Sequence, residues 1–214
     1  MSHPAFLTFQ RFNDPEFASA IAAELKKHDI ESRVIKGEAP FDRLLIQNTA
    51  GYFVELQLAP ADFTRANGVM EEFYAAQLKD VDPDYYLYSF TDAELVEIVA
   101  KPDEWGHFDY VFAKKLLADR GNPITEETAE LLKEKRLEEL EQPEIPPDGV
   151  GPMPVPNING VISSHIIATH KKTLPDGRQV YSYAPAQRKR ARIFFYIALF
   201  ILLVLLIEYL RQLP

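Results

Sequence analysis

The spacing of apolar residues along the first eighty positions predicts strands and helices in the order β-α-β-β-α. Residues 5–12 and Ser32–Lys36 have the composition of strands, and Tyr52–Leu58 alternates apolar and polar side chains as a half-buried strand does. Two longer stretches, from Asp14 and from Asp62 to Leu78, place apolar side chains three and four residues apart, which indicates amphipathic helices. This order is typical of an α+β domain in which two helices pack on one face of an antiparallel sheet.

The two predicted helices differ in how clearly they begin. The first has Asp14 at the N-cap, Pro15 at the first helical position and Glu16 in the first turn. Its buried stripe is formed by Phe17, Ile21 and Leu25, with Ala18 and Ala22 beside them. In the second helix Gly68 costs roughly 1 kcal/mol relative to alanine, and the expected buried positions are Phe63, Ala66, Met70, Phe73 and Gln77.

Four passages in this region resemble a known family: NDPEFA, KKHDIESRVI, YFVELQLAPAD and DFTRANGVM. They resemble the small bacterial domain described as a prokaryotic signal-transducing protein, over residues 4–78. The resemblance implies a ferredoxin-like, PII-like βαββα fold in a C-terminally membrane-anchored bacterial protein. It also implies a sensing or adaptor module, and it supplies no catalytic residues. Members of that family often have Glu-Gly or Asn-Gly before the isoleucine, whereas this chain has His28-Asp29 before Ile30.

Residues 85–142 predict a small helical extension of three helices. The first has a capping box, Thr91 with Glu94, and stops before Pro102; the second runs from about Asp103 to Arg120, followed by Gly121. The third opens at Thr125 and is expected to bury its leucines, namely Leu131, Leu132, Leu137 and Leu140. A similar helical block accompanies the resembled domain in membrane-anchored bacterial proteins. Whether the extension packs on the N-terminal domain is left open.

The composition changes after Gln142. Residues 143–160 contain six prolines and three glycines, which predicts a linker. Residues 161–187 predict a β-hairpin that turns at Pro175-Asp176-Gly177. Because an isolated hairpin is only marginally stable in water, we expect it to rest on the bilayer surface or on a partner.

The last segment, residues 188–214, has the pattern of a membrane anchor. A basic cluster, Arg188, Lys189, Arg190 and Arg192, precedes fifteen uninterrupted apolar residues, Ile193–Ile207. The stretch Ile193–Leu210 would form a helix of about 27 Å, close to the hydrocarbon thickness of about 30 Å. A buried core helix and a surface amphipathic helix are the alternatives. The anchor residues are taken as Arg188, Lys189, Arg190, Arg192, Ile193, Phe194, Phe195, Tyr196, Ile207 and Leu210.

Five segments follow from these patterns: residues 1–80, 85–142, 143–160, 161–187 and 188–214. We call residues 1–142 the head. Because the basic cluster precedes the apolar run and only Arg211 follows it, the positive-inside rule predicts a cytoplasmic head and a single-pass, tail-anchored protein of the inner membrane. The first residues lack a charged leader followed by an apolar core, so no signal peptide is expected.

The distribution of charge along the chain indicates which kinds of molecule the protein can bind. The chain carries −9 overall, but residues 1–170 hold 15 Lys/Arg and 30 Asp/Glu, while residues 171–192 hold 7 Lys/Arg and one Asp. An acidic body does not suit nucleic acid, which requires a basic face. The basic block instead suits a bilayer with anionic head groups.

No part of the sequence predicts catalysis. The chain has no cysteine, and it has no Gly-rich phosphate loop, G-x-S-x-G or HExxH motif. Glu104-x-x-His107 has the spacing of carboxylate-bridged metal sites but lacks the second motif they need, so a capped helix with an exposed histidine is preferred. His165 and His170 are expected on opposite faces of a strand, and acidic pairs such as Glu71/Glu72 are expected on the solvated surface. We therefore expect no catalytic residue, cofactor or metal.

The aromatic residues Phe90, Trp105, Phe108 and Tyr110 could line a binding groove, with core packing as the alternative. Together these patterns predict a non-catalytic membrane protein acting as a cytoplasm-facing adaptor or sensor with an unidentified protein partner. The alternatives are an accessory or structural subunit of a membrane complex, and a small-molecule sensor acting through the PII-like head.

Overall fold

A three-stranded antiparallel sheet lies near the start of the chain. The computed structural model describes residues 5–37, 53–143 and 158–211. The strands are β1 (Leu7–Phe12), β2 (Ser32–Gly37) and β3 (Phe53–Leu58), in the order β1-β3-β2. Leu58 lies opposite Leu7 on one side and Ser32 on the other. Since β3 is central, its alternate residues Val54, Leu56 and Leu58 are buried, as the alternation predicted; Tyr52 lies outside the described residues.

Helix α1 (Pro15–Lys27) begins as its sequence predicted. The Asp14 carboxylate accepts a hydrogen bond from the Glu16 N–H at 2.8 Å, and Pro15 occupies the first helical position. Ala18, Ile21 and Leu25 are buried. The helix ends in a turn where Asp29 has a φ of 56° and the Ile30 N–H bonds to the Leu25 carbonyl at 3.0 Å.

Helix α2 (Phe63–Gln77) follows a short 3-10 turn, Pro60–Asp62. The predictions for Phe63, Ala66 and Met70 are confirmed, since these side chains are buried. The prediction for Gln77 is wrong: it is exposed, and Val69 and Tyr74 are buried instead. Tyr74, four residues after Met70, extends the apolar stripe, whereas Gln77 is at the end of the helix, where its amide reaches water.

The helical extension contains four helices where three were predicted. They are α3 (Asp92–Ala100), α4 (Pro102–Trp105), α5 (His107–Asp119) and α6 (Glu126–Glu141). The Thr91–Glu94 capping box is confirmed. A single helix over 103–120 is wrong, because Gly106 has a φ of 88° and interrupts it. Burial of Leu131 is also wrong, since it is 59% exposed and α6 instead buries Ala129.

Two hydrophobic cores share residues of α5. The first lies between the sheet, α1 and α2, and the second lies among α3, α5 and α6. Phe108 and Val111 pack against both cores. The helical extension therefore packs on the N-terminal sheet and helices through α5, which also contacts α2.

Helix α7 (Ile158–Thr169) occupies most of the region predicted as the first hairpin strand. That prediction is wrong. The hairpin itself is short, with β4 (Lys171–Thr173) paired to β5 (Gln179–Tyr181). Its turn is at the predicted place, where the Gly177 N–H bonds to the Leu174 carbonyl at 2.9 Å. Residues 158–169 carry no charge and repeat small residues four apart, which suits a packed helix better than a strand.

The predicted linker, residues 143–160, lies mostly outside the described residues, and its last three residues belong to α7. The chain closes with the long helix α8 (Pro185–Arg211). By their contacts, residues 1–139 with 174–178 form one unit, and residues 140–173 with 179–214 form a second.

Candidate functional site

Helix α8 joins the basic cluster and the apolar run in one continuous helix of 27 residues. It starts at Pro185, which suits the first turn of a helix. The Gln187 side chain accepts a hydrogen bond from the Ala184 N–H at 2.9 Å, and this bond satisfies a donor at the start of the helix. The helix includes all ten residues named as the anchor: Arg188, Lys189, Arg190, Arg192, Ile193, Phe194, Phe195, Tyr196, Ile207 and Leu210.

The apolar part of α8 presents its side chains outward. Among the described residues, α8 is the one helix long and apolar enough to cross a membrane, with a mean hydropathy of 2.7 over an 18-residue window. None of that window is buried. An apolar surface of this size is unfavourable in water and favourable in lipid. The far end is polar again, where Arg211 donates to Glu208 at 2.9 Å.

Positive charge collects at the start of α8. The Arg188 guanidinium lies over the Tyr181 ring at 3.7 Å, and the Lys171 ammonium lies 5.1 Å from the centre of the same ring. Such cation–π contacts hold cations beside an aromatic face. Lys189, Arg190 and Arg192 are exposed. Lys171 of the hairpin and Arg188 of α8 therefore lie beside the same aromatic ring.

Helix α7 packs along α8, a contact that the sequence patterns did not predict. Ile167 and Ala168 of α7 form a buried cluster with Ala191 of α8, and the His165 ring lies 5.3 Å from that of Phe195. His165 is therefore on a helix, and the strand placement is wrong. His170 follows α7, and its Nδ1 lies 2.8 Å from the buried Ser182 hydroxyl. The recurrence of small residues at 160, 164 and 168 could have indicated this helix.

The four aromatic residues considered as a groove all contribute to the second core. Phe90 and Trp105 meet edge to face with ring centroids 5.9 Å apart. Phe108 packs against Tyr85 at 5.3 Å, and Tyr110 is 1% exposed. The four side chains therefore pack in a hydrophobic core, which was the alternative to a binding groove.

His107 is not the exposed histidine that was expected. Its Nε2 lies 2.9 Å from Asn67 Oδ1, and its ring is stacked with Tyr74 at 6.5 Å and tilted against Phe9 at 6.0 Å. Burial, with a smaller contribution from the nearby Lys133 charge, lowers the pKa of His107 to about 4. The sequence predicted an exposed His107 because it suggested one continuous helix here. Instead, Gly106 ends α4 and α5 starts at His107, whose ring faces α2.

Glu104 points to a different partner, so the Glu104-x-x-His107 pair does not converge. The Arg136 guanidinium of α6 donates a hydrogen bond to the Glu104 carboxylate at 2.5 Å. It also donates one hydrogen bond to each carboxylate oxygen of Asp103, at 2.9 and 2.8 Å. This forked contact ties α6 to α4. Within residues 5–37, 53–143 and 158–211, no group of three or more His, Cys, Asp or Glu side chains could hold a metal ion.

Lys133 links α6 to α2 through Glu71, so the expected solvated position of Glu71 is wrong. The Lys133 ammonium donates to Glu71 at 3.0 Å and lies 5.1 Å from the Tyr110 ring centre. Burial opposes the charge on Lys133, but the hydrogen bond and charge of Glu71 outweigh it and raise the pKa of Lys133. The ammonium is therefore held in its charged form between two helices.

Two tyrosines share one carboxylate at the start of α5. Tyr85 and Tyr86 each donate a hydrogen bond to Asp109 at 2.6 Å. Burial and then the Asp109 carboxylate raise the pKa of Tyr86 to about 12, and the same causes raise the pKa of Tyr85. Both phenols stay protonated and act as donors, so this arrangement fixes the segment before α3 on α5 and does not create a nucleophile.

The comparisons with known proteins add no relative. No protein-family model, curated protein or solved structure matches this chain.

Proposed function

We propose that this protein is a non-catalytic, single-pass membrane protein, anchored by α8, whose head serves as an adaptor or sensor on the cytoplasmic side of the inner membrane. The observation that carries the proposal is the exposed apolar surface of α8 directly after a basic cluster. Exposed side chains such as Phe200 and Leu205, at 66% and 59%, have no favourable place in water.

The charge distribution supports the orientation. Arg188, Lys189, Arg190 and Arg192 precede the apolar run, and among residues 193–214 only Arg211 is basic. The positive-inside rule therefore keeps the head on the cytoplasmic side. Anionic lipid head groups attract the cluster by about 1 kcal/mol per basic residue near the surface.

The way the first unit uses its polar groups is compatible with the adaptor or sensor role that we propose. The buried or paired ones, such as His107, Lys133 and Arg136, contact neighbouring helices and stabilise the fold. The strand order β1-β3-β2 is the split βαβ arrangement, which supports the ferredoxin-like resemblance. The left-handed φ of Asp29, where that family often has glycine, supports it as well. The partner we propose is a protein, because the acidic head disfavours nucleic acid.

Deletion of residues 188–214 tests the anchor. We expect the full chain to stay in the membrane pellet after an alkaline carbonate wash, and the truncated chain to be released, because α7 alone is too short to span. As a matched control, removal of residues 212–214 leaves the helix Pro185–Arg211 intact and should not release the protein. A truncated chain that stays in the washed pellet would contradict the proposed anchor.

Protease protection tests the orientation. Protease added to intact spheroplasts should leave the head undigested, whereas the same protease after lysis should digest it. Digestion without lysis would mean that the head faces outward. Crosslinking in membranes, followed by mass spectrometry, would then identify what contacts the head.

A further inference from the structure

Helix α7 has one face that packs on α8. Ser164, Ile167 and Ala168 are 6–7% exposed, and Gly160 is buried as well. Gly160, Ser164 and Ala168 recur every four residues and so lie on the same side of the helix. Small residues at this spacing allow two helix backbones to approach closely, as they do in membrane helix pairs.

The contacts fix the direction and level of α7 along α8. Ala168 packs with Ala191, and His165, which comes earlier in α7, contacts Phe195, which comes later in α8. Residue numbers therefore increase in opposite directions along the two helices. The two helices are therefore antiparallel. Gly160 precedes Ala168 by eight residues, or about 12 Å of helix, which brings it level with roughly residue 199 of α8. Helix α7 thus runs beside the first half of the apolar run Ile193–Ile207.

The other face of α7 exposes two isoleucines together with the uncharged polar residues Ser163, His165 and Thr169, within a stretch, Gly160–Thr169, that is apolar overall. Ile162 and Ile166 are 49% and 47% exposed and lie one turn apart. No residue of Ile158–Thr169 is charged, and Thr169 donates its hydroxyl hydrogen bond to the His165 carbonyl at 2.8 Å. The first charged residue after α7, Lys171, lies beside the same Tyr181 ring as Arg188 of the basic cluster of α8. The border between charged and apolar residues is therefore at the same height on both helices.

We propose that α7 lies in the hydrocarbon of the leaflet next to the basic cluster, as a half-spanning helix whose exposed face contacts lipid acyl chains. This proposal rests on the membrane insertion of α8 proposed above. If α8 spans with Arg192 at the interface, a helix held beside residues 191–199 lies at hydrocarbon depth. Its twelve residues cover about 18 Å, less than the roughly 30 Å of a full span. A helix is better suited to this position than a single strand, because all its backbone groups except those of its terminal turns bond within the segment.

Single cysteines can test this depth, because the chain has none of its own. The full chain is made as Ile162→Cys, Leu203→Cys and Thr173→Cys, labelled with bimane and placed in vesicles of phosphatidylethanolamine and phosphatidylglycerol. Leu203 tests α8 alone, and Thr173 of the hairpin is the water-exposed control. Quenching is measured with iodide in water and with lipids that carry a nitroxide at a shallow or deep acyl position. Ile166→Cys gives a second position on the same face, should one variant fold poorly.

We expect the label at position 162 to be quenched by shallow nitroxide lipid, and to be quenched by iodide at least about tenfold less than the label at 173, because hydrocarbon excludes water. The label at 203 should respond to the deep nitroxide. If iodide quenches the label at 162 as strongly as the label at 173, while nitroxide lipid quenches the label at 203, α7 lies in water. That result would contradict this inference and leave the proposed membrane insertion of α8 supported. If 203 is also quenched by iodide, the proposed anchor itself fails. Quenching of 162 by neither probe would mean that protein, such as a second copy, covers the face, and that would overturn the lipid contact.

Discussion

Asp29 carries the strained backbone at the end of α1. Among the described residues it is the one non-glycine residue with a positive φ, 56°. The Asp29 N–H bonds to the Lys26 carbonyl at 3.2 Å and the Ile30 N–H to the Leu25 carbonyl at 3.0 Å, which is the Schellman arrangement. This turn brings the buried Ile30 over Leu25 and directs the chain into β2. Glycine adopts such a φ without the steric cost of a Cβ atom.

We predict that Asp29→Gly raises the free energy of unfolding by up to about 1 kcal/mol, or roughly 2–4 °C in Tm, because the strain at φ 56° is relieved. The matched control is Ala23→Gly in the middle of α1, which should lower it by about 1 kcal/mol. Thermal unfolding of the full chain in mild detergent measures both. Destabilisation by both variants would mean that the φ of Asp29 carries no strain.

His107 should make stability depend on pH. Its pKa of about 4 in the folded chain lies below the ordinary 6.5, so between these values the unfolded chain binds a proton that the folded chain does not. The contribution of the neutral ring is therefore fully present above pH 6.5 and falls as the pH drops toward 4, by on the order of 2 kcal/mol. In the variant His107→Gln, the glutamine amide can still donate a hydrogen bond to Asn67 Oδ1, but it does not bind a proton in this pH range. Urea unfolding at pH 7 and pH 5 should show a smaller loss for the variant, and an equal loss would contradict the role of His107.

At the scale of elements, the break between α4 and α5 decides where His107 points. Gly106 has a φ of 88°, which L side chains rarely adopt, and it separates two helices that the sequence suggested were one. The break lets Trp105 pack against Phe90 while His107 turns toward Asn67. Arg136 then secures α4 through Asp103 and Glu104.

We predict opposite effects of alanine at two glycines that both have open space around a Cβ atom. Gly106→Ala should lower the free energy of unfolding by about 1–2 kcal/mol, because the required φ is strained for alanine. Gly68→Ala lies within α2 and should raise it by up to about 1 kcal/mol. Chemical unfolding of the full chain gives both values. Stabilisation by alanine at 106 would mean that α4 and α5 can join into one helix.

At the scale of the whole molecule, charge and composition distinguish the head from the proposed membrane anchor. Most acidic residues precede residue 171, and the basic block lies just before the apolar run. Anionic lipid should therefore repel the head and attract the basic block. The first unit ends at Glu139, shortly before the proline-rich stretch, and also includes residues Leu174–Arg178.

We predict that limited proteolysis of the full chain cuts first between Pro143 and Asn157, because the next residue, Ile158, already belongs to α7. The six prolines there prevent regular pairing, and the stretch has no apolar run able to form a core. The expected product is a stable fragment ending near residue 142. Mass spectrometry of the early fragments decides the matter, and first cuts inside residues 85–140 would mean that the boundary is elsewhere.

The sequence by itself determined the elements whose cause is local. The start of α1 at Asp14 and Pro15, the Thr91–Glu94 capping box and the alternation in β3 act within a few residues, so their positions could be predicted. The long apolar helix at the end of the chain is also local, because fifteen consecutive apolar residues favour it whatever the rest of the chain does.

Tertiary structure decided the features that depend on distant partners. The His107 ring stacks on Tyr74 because α5 packs on α2, and Lys133 of α6 reaches Glu71 of the same helix. The segment before the hairpin could have been a strand or a helix by composition, and packing of its small residues on α8 selected the helix. Contacts between residues far apart in sequence set each of these outcomes, and local propensity and periodicity carry no information about which helix will be the neighbour.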